Sequence, residues 1–430
     1  MPKGDAMHRL IYRKRTLLIT ISGLVVGLAV ALQPAAAQSD VTNPIDKALQ
    51  QAIEVKKIPA VVAVVADRRG VTYRAAFGKQ DSVKSIALAP DAIFAIASMT
   101  KPITSVAVMQ LVERGRVKLG EPVSTYLPEL AKVQVLEGFD ETGTPKLRPA
   151  KSVPTVRQLL SHTSGYGYEF FNATLQRYAA TGAIPSSLRD DDGFLKAPLL
   201  FDPGTRFEYG ISTDWLGRLV ETVSGQTLEA YLKEHIFKPL GMVDTFFDVP
   251  REKQSRMVAL HTLQPDGTFV QAPAQPLQPV RFFSGGGGLY STAEDYIKFA
   301  RMLLGKGTLE GKRILKSGSV AEMMRNQVGS LSLPEFRSLS PQFAKDPIVI
   351  PGEMDKFGLG FGINTKAVAG GRSAGSSAWA GIVSTYFWVD PAGQRCAVIL
   401  MQALPFGEDA MNSTVREFER AVYSTAPRAN

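Results

Sequence analysis

Residues 60–67, Ala-Val-Val-Ala-Val-Val-Ala-Asp, are an apolar run closed by Asp67. A run this short and rich in valine predicts a buried strand. Arg68-Arg69-Gly70 turns the chain, and residues 71–77 answer as the second strand of a hairpin. Ahead of the run, Ile45, Leu49, Ala52 and Ile53 recur at helical spacing within residues 43–57. The far end has a similar pattern. Residues 379–389 read as one strand, Asp390-Pro-Ala-Gly393 as a turn, residues 395–402 as its partner and 408–422 as a terminal helix.

The middle of the chain differs. Ile103, Val106, Ala107, Met109, Leu111 and Val112 make the helix after Pro102 apolar almost all round, so it is expected to be buried. Further helical patterns cover residues 156–165, 215–223, 228–237 and 295–304, whereas 138–152, 170–203 and 329–353 read as loops. Strands at both ends and helices between them predict an α+β fold. One antiparallel β-sheet would be built from both termini and flanked by helices. Its segments would be residues 43–95 and 285–430, with a mainly helical region at about 96–284 inserted. A cleft at the seam is the natural ligand site.

The first residues follow another rule. Lys3, Arg9, Arg13, Lys14 and Arg15 form a basic head, residues 17–32 are apolar and uncharged, and Pro34-Ala35-Ala36-Ala37 offers a small-residue cleavage site. This pattern predicts a signal peptide over residues 1–37, cut after Ala37, and a periplasmic or secreted protein at 38–430. An uncleaved membrane anchor is the rival. The run is shorter than the ~20 residues that a span usually needs. Cleavage lowers the net charge from +9 to about +5. Spread over the mature chain, that charge is no nucleic-acid footprint. Hydrophobic residues are 45% and charged residues 21%, enough apolar mass for a core without disulfides. Cys396, the single cysteine, lies in an apolar strand pattern and is expected to be a buried hydrophobe.

Histidine is scarce. Beyond the head only His162, His235 and His261 occur, and no G-x-S-x-G elbow is present, which disfavours a Ser-His-Asp hydrolase. His162 is expected to make structural hydrogen bonds, His235 to sit on a helix surface, and His261 to lie in a polar loop. No H-E-x-x-H or Cys/His zinc spacing appears, and Ser284-Gly-Gly-Gly-Gly288 lacks the G-K-[ST] of a phosphate loop, so no metal or other cofactor is expected. What remains is a serine activated without histidine. Ser98 is the one serine followed at +3 by lysine, Lys101, at the start of the buried helix. Residues i and i+3 share a helix face. The helix start favours developing negative charge. Lysine accepts a proton when burial or a neighbouring cation lowers its pKa, and a tyrosine can share that work. Tyr209, on a turn before a helix, is the candidate.

Ser98-Met-Thr-Lys101 between Phe94 and Pro102, Leu160-Ser-His-Thr-Ser-Gly165, Pro239-Leu-Gly-Met242 and Gly286-Gly-Gly-Leu-Tyr-Ser-Thr292 before Asp295 resemble the serine β-lactamase-like superfamily. The likeness runs from about residue 46 to 423. It is nearest the class C-related branch, which holds family VIII carboxylesterases, D-alanyl-D-alanine carboxypeptidase relatives and transesterases. The resemblance implies Ser98 as acylated nucleophile, Lys101 as motif lysine and Tyr209 as the Y-x-N tyrosine. It implies an oxyanion hole from the backbone N–H groups of Ser98 and Ile382. Two departures stand out. Ile211 replaces the asparagine, and Trp379-Ala380-Gly381 replaces K-T-G or H-x-G. A substrate carboxylate loses its natural partners there, and W-x-G resembles the family VIII esterases. The expectation is therefore a secreted carboxylesterase acting on small-molecule, short-acyl esters through a Ser98 acyl-enzyme. A β-lactamase or DD-peptidase is the first alternative, and a catalytically silent cell-wall-binding or accessory protein the second. No nucleic-acid partner is expected, and membrane contact only through an uncleaved signal segment.

Overall fold

A computed structural model describes residues 43–188, 191–274, 277–348 and 350–424; the expected signal peptide lies outside them. The valine-rich run forms strand β1 (Ala60–Asp67), which pairs with β2 (Val71–Asp81), and β2 with β3 (Ile86–Ala87). The C-terminal half adds β4 (Lys356–Phe357), β5 (Gly362–Asn364), β6 (Ser376–Gly381), β7 (Thr385–Asp390) and β8 (Arg395–Leu400). Together they make one antiparallel sheet in the order β4-β5-β6-β7-β8-β1-β2-β3. The two ends of the described chain thus meet at the β1–β8 ladder, where Val64 faces Val398.

Strand side chains alternate between faces, and this divides β1 between two cores. Ala60, Val62, Val64 and Ala66 join one core with Met99, Ile103 and Phe299. Val61, Ala63 and Val65 join another with Leu49 and Phe418. A strand buried on both sides must read as a continuous apolar run, as this one does. Helix α1 (Pro44–Glu54) and the terminal helix contribute Leu49 and Phe418 to the second core, so they cover that face. Helix α2 (Thr100–Glu113) and α3 (Ser212–Ser224) pack on each other in the first core, and α4 (Ala293–Leu304) packs on the sheet in the same core. The terminal helix is α5 (Asp409–Ser424). Burying each large apolar side chain contributes about 1.5–3 kcal/mol, so the nearly wholly buried α2 is the anchor of this side.

Local readings needed correction where a turn hides inside an apolar run. Residues 379–389 are two strands, β6 and β7, because Ser384 takes φ +65° and reverses the chain. Residues 138–152 lie partly in a hairpin of strands Gln134–Phe139 and Pro145–Pro149, and 170–203 contain a helix, Ala173–Ala180, capped by Asn172. Residues 228–237 change pitch from α to π.

Candidate active site

A cleft of about 1110 Å³ is lined by Ser98, Tyr168, Tyr209, Asp214, Trp379, Ala380 and Ile382 among others. Its floor comes from the start of α2. Ala97 takes φ +43°, and a single 3₁₀ turn, Ala97–Met99, leads into the helix. Ser98 is partly exposed there, whereas Lys101 is fully buried. The lysine Nζ lies 3.3 Å from Ser98 Oγ, 2.9 Å from the Tyr168 hydroxyl and 2.7 Å from the Gly286 carbonyl oxygen. These are three acceptors for the three hydrogens of an ammonium.

The tyrosine wall forms by close backbone approach. A Cβ at Gly210 would lie 2.4 Å from the Gly167 backbone, so glycine lets segment 207–210 rest on segment 165–168. Glu208 N–H donates to the His162 carbonyl across the same seam. Tyr168 and Tyr209 therefore meet edge to face, 5.5 Å between centroids. The Tyr209 ring presents its face to Lys101 Nζ at 4.7 Å, and its hydroxyl accepts a 3.3 Å bond from Trp379 Nε1. The expected trio of Ser98, Lys101 and Tyr209 is brought together, with one difference. The phenol that accepts from Lys101 is Tyr168, and Tyr209 offers its ring. Burial pushes the Tyr168 phenol far above its ordinary range, so Tyr168 stays neutral.

The opposite wall is the end of β6. At Gly381 a Cβ would lie 2.3 Å from the Ile96 carbonyl oxygen and 2.4 Å from Thr385 Oγ1. The third position of Trp379-Ala380-Gly381 must be glycine for the strand to reach the segment that carries Ser98. Ile382, the next residue, lines the cleft beside it. Ile211 is buried under the tyrosine wall, not presented to the cleft.

Asp214 is a residue that the sequence reading missed. Its Oδ1 accepts from Ser284 Oγ at 2.6 Å and from the Gly286 N–H at 3.0 Å. The Gly286 carbonyl in turn receives Lys101, so a buried carboxylate fixes the peptide that fixes the lysine. Burial raises the Asp214 pKa, opposed by the Lys101 charge and these hydrogen bonds. The glycine run thus serves close packing, since a Cβ at Gly286 would lie 2.4 Å from Asp214 Oδ2.

Among the described residues, no histidine is hydrogen-bonded to Ser98 Oγ, although the His162 ring packs 4.9 Å from that of Tyr209. His162 is buried, and its Nδ1 accepts from the Gly210 N–H at 3.4 Å. His235 packs edge-on against Tyr231. His261 lies on the strand His261–Leu263, not in a polar loop, and has partners in Ser82 Oγ at 2.9 Å and the Ala259 carbonyl at 3.0 Å. Cys396 is buried, and burial pushes its thiol up. Among the described residues, no group of three or more His, Cys, Asp or Glu side chains is placed to hold a metal ion.

Fold and site together define a β-lactamase-fold serine hydrolase or acyltransferase. The chain belongs to the Beta-lactamase family, whose model matches residues 45–420. Monacolin J acid methylbutanoyltransferase of Aspergillus terreus is 30% identical over 410 residues, covering 91% of this chain and 97% of the relative. Lovastatin esterase of Penicillium rubens is 31% identical, covering 88% of this chain and 97% of the relative. Among solved structures, a mutant simvastatin synthase from Aspergillus terreus superposes with a TM-score of 0.77 at 30% identity, covering 89% of this chain and 95% of that one.

Proposed function

We propose that this protein is an exported carboxylesterase that acylates Ser98 with short acyl groups. The observation that carries the reading is the wholly buried Lys101, held between Ser98, Tyr168 and Gly286. Ser98 Oγ attacks the ester carbonyl, and its proton passes to Tyr209 acting as a phenolate, whose oxygen is supported by Trp379 Nε1–H and whose ring faces the Lys101 charge. The backbone N–H groups of Ser98 and Ile382 receive the oxyanion. Such donors are worth about 3–4 kcal/mol each. The proton then goes to the leaving alkoxide, and water releases the acid in a second step.

Trp379 and Ala380 shape the acyl side of the cleft. A lysine or histidine in place of Trp379 would pair with a substrate carboxylate; the indole favours neutral esters over β-lactams and peptides. The size and apolar lining of the cleft leave room for a bulky alcohol, which supports a second reading. The same acyl-enzyme would pass its acyl group to an alcohol in place of water, as the names of the relatives suggest.

The test compares p-nitrophenyl butyrate and nitrocefin turnover in the mature protein and in Ser98→Ala. Ester turnover with a burst, abolished in the variant, is expected. Faster nitrocefin turnover would make it a β-lactamase, and no acylation of Ser98 by either would make it a silent binding protein. Product analysis with an added alcohol separates hydrolysis from transfer. Export predicts that the secreted protein begins at Gln38.

A further inference from the structure

Gln402 is a buried polar residue that the mechanism above does not use. It is 5% exposed and lines the cleft. Its backbone takes φ +41°, a conformation uncommon for a residue with a side chain and one that clusters at functional sites. Three bonds hold that conformation. The Gln402 carbonyl accepts from the His261 N–H, Met401 N–H donates to the Ser384 carbonyl, and Ala403 N–H donates to the Val383 carbonyl. The side chain is oriented as well. Its Oε1 accepts from the Ala95 N–H at 3.0 Å. A backbone N–H can only donate, so the carboxamide oxygen must be the atom that faces Ala95, which leaves Nε2 turned away from it. Among the described residues Nε2 has no protein partner. Ala95 lies three residues before Ser98, and Ala95, Ile382 and Val383 line the same cleft as Gln402.

We propose that Gln402 is a specificity-determining residue whose Nε2 hydrogens select esters carrying a second oxygen acceptor near the reacting carbonyl. This rests on the ester reading of Ser98. An oriented donor without a partner rewards an acceptor placed against it, and a wholly aliphatic substrate leaves it unpaired. The preferred substrates are oxygenated esters, such as keto or hydroxy derivatives, rather than plain alkyl esters.

The test uses matched p-nitrophenyl phosphonates that inactivate Ser98. One pair differs by a keto oxygen against a methylene in the alkyl chain, and a second pair carries the same change in the alkoxy chain. Phosphonylation rates need only a nucleophilic Ser98, so they read Gln402 even if no ester is hydrolysed. Wild type is expected to prefer the keto compound of at least one pair about tenfold. Gln402→Glu keeps an acceptor for Ala95 N–H but replaces the donor with a carboxylate, and the preference should vanish or invert. Gln402→Met, of similar length and without a donor, should bring the ratio to about one. Equal rates within both wild-type pairs, or a preference unchanged in a folded variant, would overturn the proposal.

Discussion

Lys101 and Tyr168 are joined by a 2.9 Å hydrogen bond inside the protein, 67 residues apart in sequence. Burial pushes this phenol well above its ordinary range, and its oxygen accepts from the lysine. Tyr168→Phe should leave one buried N–H without an acceptor, a loss of about 1–3 kcal/mol. Acylation should slow by roughly 5- to 100-fold. Tyr209→Phe removes the proposed proton acceptor and should cost more, about 10²–10⁴-fold. Burst rates with a chromogenic ester measure both. An equal or larger loss in Tyr168→Phe would move the base role to Tyr168.

Gly286 links Asp214 to Lys101, and its substitution tests that link. In Gly286→Ala the new methyl group meets the Asp214 carboxylate at 2.4 Å. Overpacking of this kind costs about 1–3 kcal/mol, and the shifted peptide should carry the Lys101 acceptor with it. Asp214→Ala should also remove the bonds to Ser284 Oγ and Gly286 N–H. The acylation rate should fall in both variants, including at temperatures where circular dichroism shows them folded. Full activity in either variant would show that the Gly286 carbonyl does not position the lysine.

His162 ties stability to pH. Burial, with the nearby Lys101 charge, holds its pKa well below the ordinary 6.5, so the folded protein keeps it neutral. The unfolded chain protonates this histidine near pH 6.5. The contribution is therefore fully present above that pH and is lost as pH falls below it, at up to about 1.4 kcal/mol per pH unit. Protonation would also displace the Gly210 N–H from Nδ1. Urea unfolding between pH 7.5 and 5 should show this slope, and His162→Gln should reduce it by one proton. His261 is shifted downward by burial as well and should keep part of the slope in that variant.

The sequence carried the fold through its longest signals. The apolar run of β1, the all-round apolar α2 and the strands near the C-terminus each exceed what a surface element shows, so the sheet built from both ends was legible. Ser98 and Lys101 were legible through motif spacing, and Tyr209 and Trp379 through the resemblance to the serine β-lactamase-like superfamily. Tyr168 and Asp214 were not, because their roles come from tertiary contact. Tyr168 depends on Gly210 admitting one loop onto another, and Asp214 acts through a peptide 72 residues away. The signals available were a tyrosine three residues after Gly165 and an acid among the uncharged residues that open α3. The β6–β7 turn was hidden for a related reason. Ser384 sits at positive φ within a β-branched, aromatic run, where propensity favours continuing the strand.

Arg372 and Glu419 form an ion pair with 2% and 3% side-chain exposure, far along the chain from Ser98. The guanidinium donates from Nε at 2.8 Å and from Nη2 at 2.9 Å, and the Arg372 N–H adds a third bond to the same carboxylate. The pair ties α5 to the segment before β6, with Arg372 stacked over Trp388 at 5.0 Å. Glu419→Gln should leave a buried cation without its counter-charge and cost about 3–5 kcal/mol. An apolar double variant, Arg372→Met with Glu419→Leu, should recover most of that loss, because it removes both desolvated charges together. Urea midpoints compared across the single and double variants decide the matter. A double variant no more stable than Glu419→Gln would mean that the hydrogen bonds to the carboxylate, and not the charge balance, hold α5 in place.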